Sequence, residues 1–150
     1  MNTLSVAQLD ETLGFQVRLA QLKMFEHFNQ HFSHIGMSVG EYSVLLAVGE
    51  NPGVRQGDLA KYFLIKRSNM SKVMRAMEQR GLVERRESES DGRALAIYLT
   101  TEGQDLVYGL IDELSAYHQE PAPGLNANEQ IQLVALLKKI SLAAKPGPVD

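Results

Sequence analysis

Apolar residues recur at helical spacing along most of this chain, and one short stretch alternates by twos instead. Between about residues 8 and 34 there is no proline and a single glycine. Leu13, Val17, Ala20, Met24, His27, His31 and His34 fall on one stripe, and Phe15, Leu19, Leu22, Phe25, Phe28 and Phe32 on a second beside it. The spacing predicts a long helix that is apolar on more than one side. A small domain cannot easily bury both stripes, so a partner subunit is implied. A second helix is expected from about Ser38, an N-cap with Glu41 three positions on, to Gly49 or Glu50, where Asn51-Pro-Gly53 breaks the chain.

A short helix follows over about 55–62, with Leu59, Ala60 and Phe63 facing inward. After the tight connection Leu64-Ile65 a further helix runs to about Arg80. Met70, Val73, Met74 and Met77 keep the i, i+3, i+4, i+7 spacing of a core stripe. Its opposite face presents Lys66, Arg67, Ser68, Asn69, Ser71, Lys72 and Arg75, which can donate to phosphates or base edges. Gly81, free to adopt a positive φ, ends this helix. The period then changes to two. Leu82 and Val83 start a strand, Asp91-Gly92 supplies a turn, and Leu95, Ile97 and Leu99 alternate with Ala94, Ala96 and Tyr98. Two short helices, the second cationic, followed by a hairpin make a winged helix-turn-helix, whose second helix enters a major groove. Arg85 and Arg86 leave along the hairpin and Arg93 returns, with Asp91 two positions before it. Arginine at such a wing suits the negative potential of a narrow minor groove.

Beyond the wing, Thr101-x-x-Gln104 reads as a capping box for a helix carrying Val107, Leu110, Ile111, Leu114 and Tyr117. Glu120-Pro-Ala-Pro-Gly124 separates it from a last helix over about 126–143, opened by Asn126 with Glu129 at N3. The tail Lys145-Pro-Gly-Pro-Val-Asp150 is expected to be disordered.

Composition changes this picture in two places. The formal net charge of −3 speaks against a polyanionic partner until its distribution is considered. Residues 54–100 hold ten Lys/Arg and six Asp/Glu, a net +4, while the remainder carries five and twelve, a net −7. One basic face between acidic ends points at nucleic acid. The absence of cysteine excludes disulfides, thiol catalysis and thiolate metal sites. No run of about 18 apolar residues predicts a membrane span. The first residues lack the pattern of a signal peptide, so a cytoplasmic protein is expected. No nucleophile–base pair or phosphate-binding glycine loop is apparent, and an enzyme is not expected.

Taken in order, these motifs resemble the MarR family of bacterial winged helix-turn-helix transcription regulators. The wing-tip hallmark Asp-x-Arg is met by Asp91-Gly92-Arg93. The resemblance runs upstream through Glu41-Tyr-Ser-Val-Leu-Leu46, Asn51-Pro-Gly53, Asp58-Leu-Ala60 and Arg67-Ser68, and downstream through Leu99-Thr-Thr-Glu-Gly103. It covers roughly residues 37–106 without an obvious gap. Two positions depart from the pattern. Lys66 stands where relatives often carry an aspartate cap, and Arg55 where they carry a serine or threonine. The resemblance implies a homodimer on a pseudo-palindromic operator in double-stranded DNA, acting as a repressor relieved by a small molecule. The string Leu19-Ala-Gln-Leu-Lys-Met-Phe25 is similar to the branch that answers to aromatic acids or their coenzyme A thioesters.

The expected fold is therefore mainly α with a small β-hairpin wing: a winged helix-turn-helix plus N- and C-terminal dimerisation helices. Residues 1–36 would form the N-terminal dimerisation helix, 37–100 the DNA-binding domain, 101–144 the C-terminal dimerisation helices and 145–150 a tail. The wing contribution is assigned to Arg85, Arg86, Asp91 and Arg93, and an effector pocket to Phe25, His31 and Tyr42. No cofactor is expected. Two rival readings remain open. His27, His31 and His34, spaced i, i+4, i+7, could bind zinc if Glu26 or His118 completed the site, or the winged helix could serve protein contacts.

Overall fold

The computed structural model describes residues 6–88 and 95–143, which fall into two compact units divided between Gly40 and Glu41. In the first unit the expected long helix is interrupted. It consists of α1 (Ala7–Asp10), α2 (Leu13–His31) and a 3-10 turn at Ser33–Ile35. Thr12 makes the first break. Its backbone is extended and its hydroxyl donates back to the Leu9 carbonyl at 2.8 Å, the local bonding by which threonine competes with helix. Phe28, Phe32 and Ile35 are buried, with the Phe28 and Phe32 rings 4.5 Å apart. Toward the N-terminal end of α2, Leu13, Val17, Leu22 and Met24 stay exposed.

The second unit holds α3 (Val39–Glu50), β1 (Val54–Arg55), α4 (Gln56–Tyr62), α5 (Arg67–Gln79), β2 (Val83–Glu87), β3 (Leu95–Leu99), α6 (Thr101–Gly109), α7 (Ile111–Gln119) and α8 (Ala127–Ala143). Helix α3 begins directly after Ser38, as its sequence predicts, and buries Tyr42, Val44, Leu45 and Val48. The hairpin is part of a three-stranded antiparallel sheet of order β1-β3-β2. The added strand β1 takes up Arg55, which the sequence places in a helix; Val54 pairs with Ile97 and Arg55 with Ala96. A two-residue strand carries no periodicity to read. With β3 central, its burial does not alternate as expected: Ala96, Ile97 and Leu99 are buried while Leu95 is exposed. The hairpin turn, with Asp91, Gly92 and Arg93, lies outside the described residues.

Helix α5 closes on a Schellman motif. The Gly81 N–H donates to the Glu78 carbonyl at 2.9 Å and the Leu82 N–H to the Met77 carbonyl at 3.0 Å, with Gly81 at φ +70°. Met77 and Leu82, the two apolar residues that flank this motif, are both buried. The connection from α4 to α5 also needs a left-handed residue, and there it is Leu64, at φ +53°, not a glycine.

The cap of α6 is Thr100, one residue before the expected Thr101. Its Oγ1 accepts from the Gly103 N–H at 3.0 Å and donates to the Gly81 carbonyl at 2.6 Å. The hydroxyl thus ties the helix start to the end of α5, a service Thr101 does not provide. The expected single helix is also split at Leu110, whose φ of −101° and ψ of −2° end α6 and start α7. Tyr42 donates its hydroxyl to the Val107 carbonyl at 3.3 Å, meeting one of the carbonyls that a helix end leaves without an intrahelical partner. The start of α8 follows expectation. The Asn126 N–H donates to Glu129 Oε2 at 2.8 Å and the Glu129 N–H to Asn126 Oδ1 at 3.0 Å, a reciprocal capping box. Residues 144–150 lie outside the described set.

Gly103 sets how closely α6 can lie against the chain leaving α5. A Cβ there would come within 2.1 Å of the Leu82 carbonyl oxygen, which is backbone and cannot swing away. Gly103→Ala is expected to lower stability by about 1–3 kcal/mol or more, as overpacking does. Gly109→Ala, with open space around it, is expected to be neutral or stabilising. Urea unfolding of the two variants checks the contrast.

Candidate nucleic-acid interface

Helix α5 is amphipathic in the sense needed for reading a groove. Met70, Met74 and Met77 are buried against the rest of the unit, and Val73 is half-buried. Arg67, Ser68, Asn69, Lys72 and Arg75 are exposed on the remaining face. Lys66 occupies the N-cap with an extended ψ of 141° and no side-chain cap bond. Its charge opposes the helix dipole, yet it puts a cation at the end that would approach a polyanion. Ser71 differs from its neighbours. It is half-buried, and its Oγ accepts from Gln56 Nε2 at 2.7 Å, so its hydroxyl already has a partner on α4.

Between α4 and α5 lies a cleft of about 370 Å³. Arg55, Lys61 and Arg67 contribute cations to its wall, Asp58 a carboxylate, and Gln56 and Ser71 neutral polar groups. Gln56 Oε1 is a buried side-chain atom without a hydrogen-bond partner. The residues around the cleft are far apart in sequence only through the intervening turn, and α4 packs directly on α5.

The arginines of the hairpin are held by carboxylates. Arg85 Nε donates to Glu78 Oε1 at 2.6 Å and its Nη2 to Glu78 Oε2 at 3.3 Å, a two-pronged pair between the last turn of α5 and strand β2. Both side chains are about one-third exposed. Arg86 pairs with Glu84, and its guanidinium lies 4.7 Å from the centre of the Tyr98 ring. Asp91 and Arg93 lie outside the described residues. Gln56 and Glu78, absent from the candidates read from sequence, thus provide side-chain ties from α5 to α4 and to β2. A glutamine next to a helix start and a glutamate on a charged helix carry no pattern that sets them apart.

The effector candidates are divided between the units. Phe25 is exposed and His31 meets Phe32 edge-on at 4.7 Å. Tyr42, in the other unit, is buried, and burial raises its hydroxyl pKa above the ordinary value, keeping it a donor. The histidine row loses its helical register because α2 stops at His31 and His34 sits in the following 3-10 turn. Among the described residues no group of three or more His, Cys, Asp or Glu is placed to hold a metal ion. No helix among them is long and apolar enough to cross a membrane.

Comparison with known proteins adds to this geometry. Residues 35–94 match the model of the MarR family. A protein named for transcriptional regulation of the hcr operon in Thauera aromatica is 29% identical over 129 residues, covering 85% of this chain and 78% of that protein. A solved structure of the transcriptional repressor CouR bound to a 23-mer DNA duplex superposes with a TM-score of 0.82 at 29% identity. It covers 93% of this chain and 99% of that one. The regulator BpsR of Bordetella bronchiseptica, whose DNA binding is described as regulated by 6-hydroxynicotinic acid, gives a TM-score of 0.81. Its 23% identity, over 95% of this chain and 100% of that one, speaks for the fold.

The Glu78–Arg85 pair yields a test with opposite signs. If it braces the hairpin against α5, Glu78→Gln weakens DNA binding although it removes a negative charge, and the exchanged pair Glu78→Arg with Arg85→Glu restores part of it. If Arg85 instead contacts DNA directly, Glu78→Gln strengthens binding and the exchange restores nothing. Fluorescence anisotropy at one fixed salt concentration distinguishes the two.

Proposed function

We propose, from the match of residues 35–94 to the MarR family model and the likeness to relatives at 29% identity, that the chain is a MarR-family, homodimeric, sequence-specific regulator that binds double-stranded DNA. It represses transcription from a pseudo-palindromic operator and is relieved by a small effector, with an aromatic acid or its coenzyme A thioester as the candidate class. The observation that carries the reading is α5 itself: a buried methionine row on one side, and Arg67, Ser68, Asn69, Lys72 and Arg75 exposed on the other. Serine and asparagine suit base edges, with asparagine favouring adenine, while lysine and arginine anchor phosphates.

One helix reads only a few base pairs, so useful specificity calls for two copies on a two-fold axis, about 34–36 Å apart. The apolar residues left exposed on a single chain supply the reason to pair. On α2 these include Leu13, Leu22 and Met24, and on α8 Ile131, Leu136 and Leu142. A monomer in water gains nothing from displaying them, and a second copy can cover them. Residues 37–100 are assigned to DNA reading, and 1–36 with 101–144 to pairing. The effector acts by population shift, favouring dimers whose paired α5 helices no longer match successive major grooves. The chemistry of the region argues for a binding protein and not for an enzyme.

Three measurements test this. Binding to DNA from upstream of the chain's own gene is expected to fall steeply with salt, in proportion to the phosphates neutralised; a log–log slope near zero rejects DNA as partner. Sedimentation at micromolar concentration is expected to show a dimer whose dissociation is linked to unfolding, and a stable folded monomer rejects the assembly. At the wing, Arg93→Ala is expected to cost about 1–3 kcal/mol of affinity. Asp91→Ala is expected to weaken binding as well, if Asp91 orients Arg93. Equal or tighter binding by a folded, dimeric Asp91→Ala variant removes the wing pair from the interface.

A further inference from the structure

We propose that the turn between α4 and α5 is a docking site for an acidic protein segment, with Tyr62 and Leu64 as its anchors, and that this partner competes with DNA. The competition rests on the DNA-binding reading; the docking site does not.

Three observations lead to it. Tyr62 is 80% exposed and Leu64 76%, so two large side chains on either side of Phe63 add little to the core. Leu64 is also strained. With φ at +53° it is the one residue other than glycine at a positive φ among the described residues. A Cβ costs energy in that conformation, and a glycine would avoid the cost. Strain kept at an exposed leucine returns nothing inside the chain and points to a contact outside it. The third observation is that both anchors are held in place. The Tyr62 ring meets Phe63 edge-on with centroids 5.2 Å apart. The Phe63 N–H donates to the Leu59 carbonyl and the Ile65 N–H to the Ala60 carbonyl, each at 3.0 Å. Anchors fixed in advance lose little freedom on binding, as interface hot spots require.

Charge selects the partner. Between residues 58 and 67 Lys61, Lys66 and Arg67 stand against one carboxylate, Asp58, and all four are exposed. Carboxylates of a partner answer these cations, and an apolar side chain among them covers Tyr62 and Leu64. DNA answers the cations alone. Its phosphates offer nothing apolar, and thymine methyls lie within the major groove, which α5 and not the turn would enter. Lys66 and Arg67 belong to both surfaces. A segment seated on the turn therefore covers the start of α5, and partner and duplex exclude each other.

The test uses the full-length protein, a duplex that it selects from a random pool, and a displayed library of acidic peptides with variable apolar positions. Peptides retained by the parent are expected to displace the duplex, and to bind Leu64→Gly and Tyr62→Ala at least about tenfold more weakly. Leu64→Asn is a second variant at that position; both glycine and asparagine suit the left-handed region, so melting is expected to show intact folds. Both Leu64 variants are expected to hold the duplex within about twofold of the parent. Weaker duplex binding by both would assign the leucine to DNA and overturn the proposal. Self-association of the parent beyond a dimer, abolished in Leu64→Gly, would give the site to a second copy and overturn it too. A library that yields no peptide, or only peptides that bind Leu64→Gly as they bind the parent, overturns it while DNA binding stands. Peptides that leave the duplex in place overturn the competition. If the parent retains no duplex, the DNA-binding reading and the competition fall together, and the peptides alone decide the docking site.

Discussion

The close passage of α6 over the exit from α5 is the constraint on which the rest of the second unit depends. At one point the Leu82 carbonyl accepts from the Thr100 N–H at 3.1 Å, and the Thr100 hydroxyl reaches the Gly81 carbonyl at 2.6 Å. Gly103 lies so near Leu82 that no side chain fits. These contacts fix three things at once: where α5 stops, where β3 leaves the sheet and where α6 begins. The angle between α5 and the β2–β3 hairpin is therefore set by backbone, not by exposed side chains that solvent can rearrange. Met77 and Leu82 are buried beside the junction, while Gly81 and its hydrogen bond to Thr100 stay exposed.

Local rules were legible in the sequence where one residue does a job that few others can do. Gly81 ended α5 because a left-handed position was needed, and Asn126 with Glu129 opened α8 because each satisfies the other's backbone N–H. The methionine row of α5 was legible because its period is long enough to be unambiguous. Features that depend on residues distant in sequence were not. Strand β1 exists because Val54 and Arg55 meet Ile97 and Ala96, and nothing local to two residues announces that. The interruption of the first helix at Thr12 and the split at Leu110 are decided by single side-chain and backbone choices inside otherwise helical patterns. The shift of the cap from Thr101 to Thr100 has the same origin: two adjacent threonines are equivalent in sequence, and only contact with Gly81 separates them.

For the candidate interface, the polar face of α5 was readable from spacing alone, whereas the state of each charge was not. A sequence counts Arg85 and Arg86 as two cations for DNA. In the structure Glu78 and Glu84 answer them, and Tyr98 lies under the second. Net charge over a segment therefore overstates what a duplex would meet at the hairpin, and understates it on α5, where Glu78 is the one carboxylate of the helix and is turned to Arg85. The exposed cations of α5 thus stand without a carboxylate on their own face of the helix, while those of β2 are paired.

The pairing of β1 with β3 has a consequence for how the molecule acquires its shape. Val54 and Ile97 bracket the whole of α4, α5 and β2, so their contact closes a long chain loop whose entropy must be lost before the pairing returns anything. The α4–α5 turn and the β2–β3 ladder need only near neighbours in sequence. On topological grounds they assemble early, and the two-residue strand docks late. The same ordering read backwards makes β1 the seam at which the unit first opens, with Arg55 and the edge of the cleft going with it. Sub-global opening at β1 would thus loosen the start of α4 and the α4–α5 cleft together, while the β2–β3 ladder stays closed.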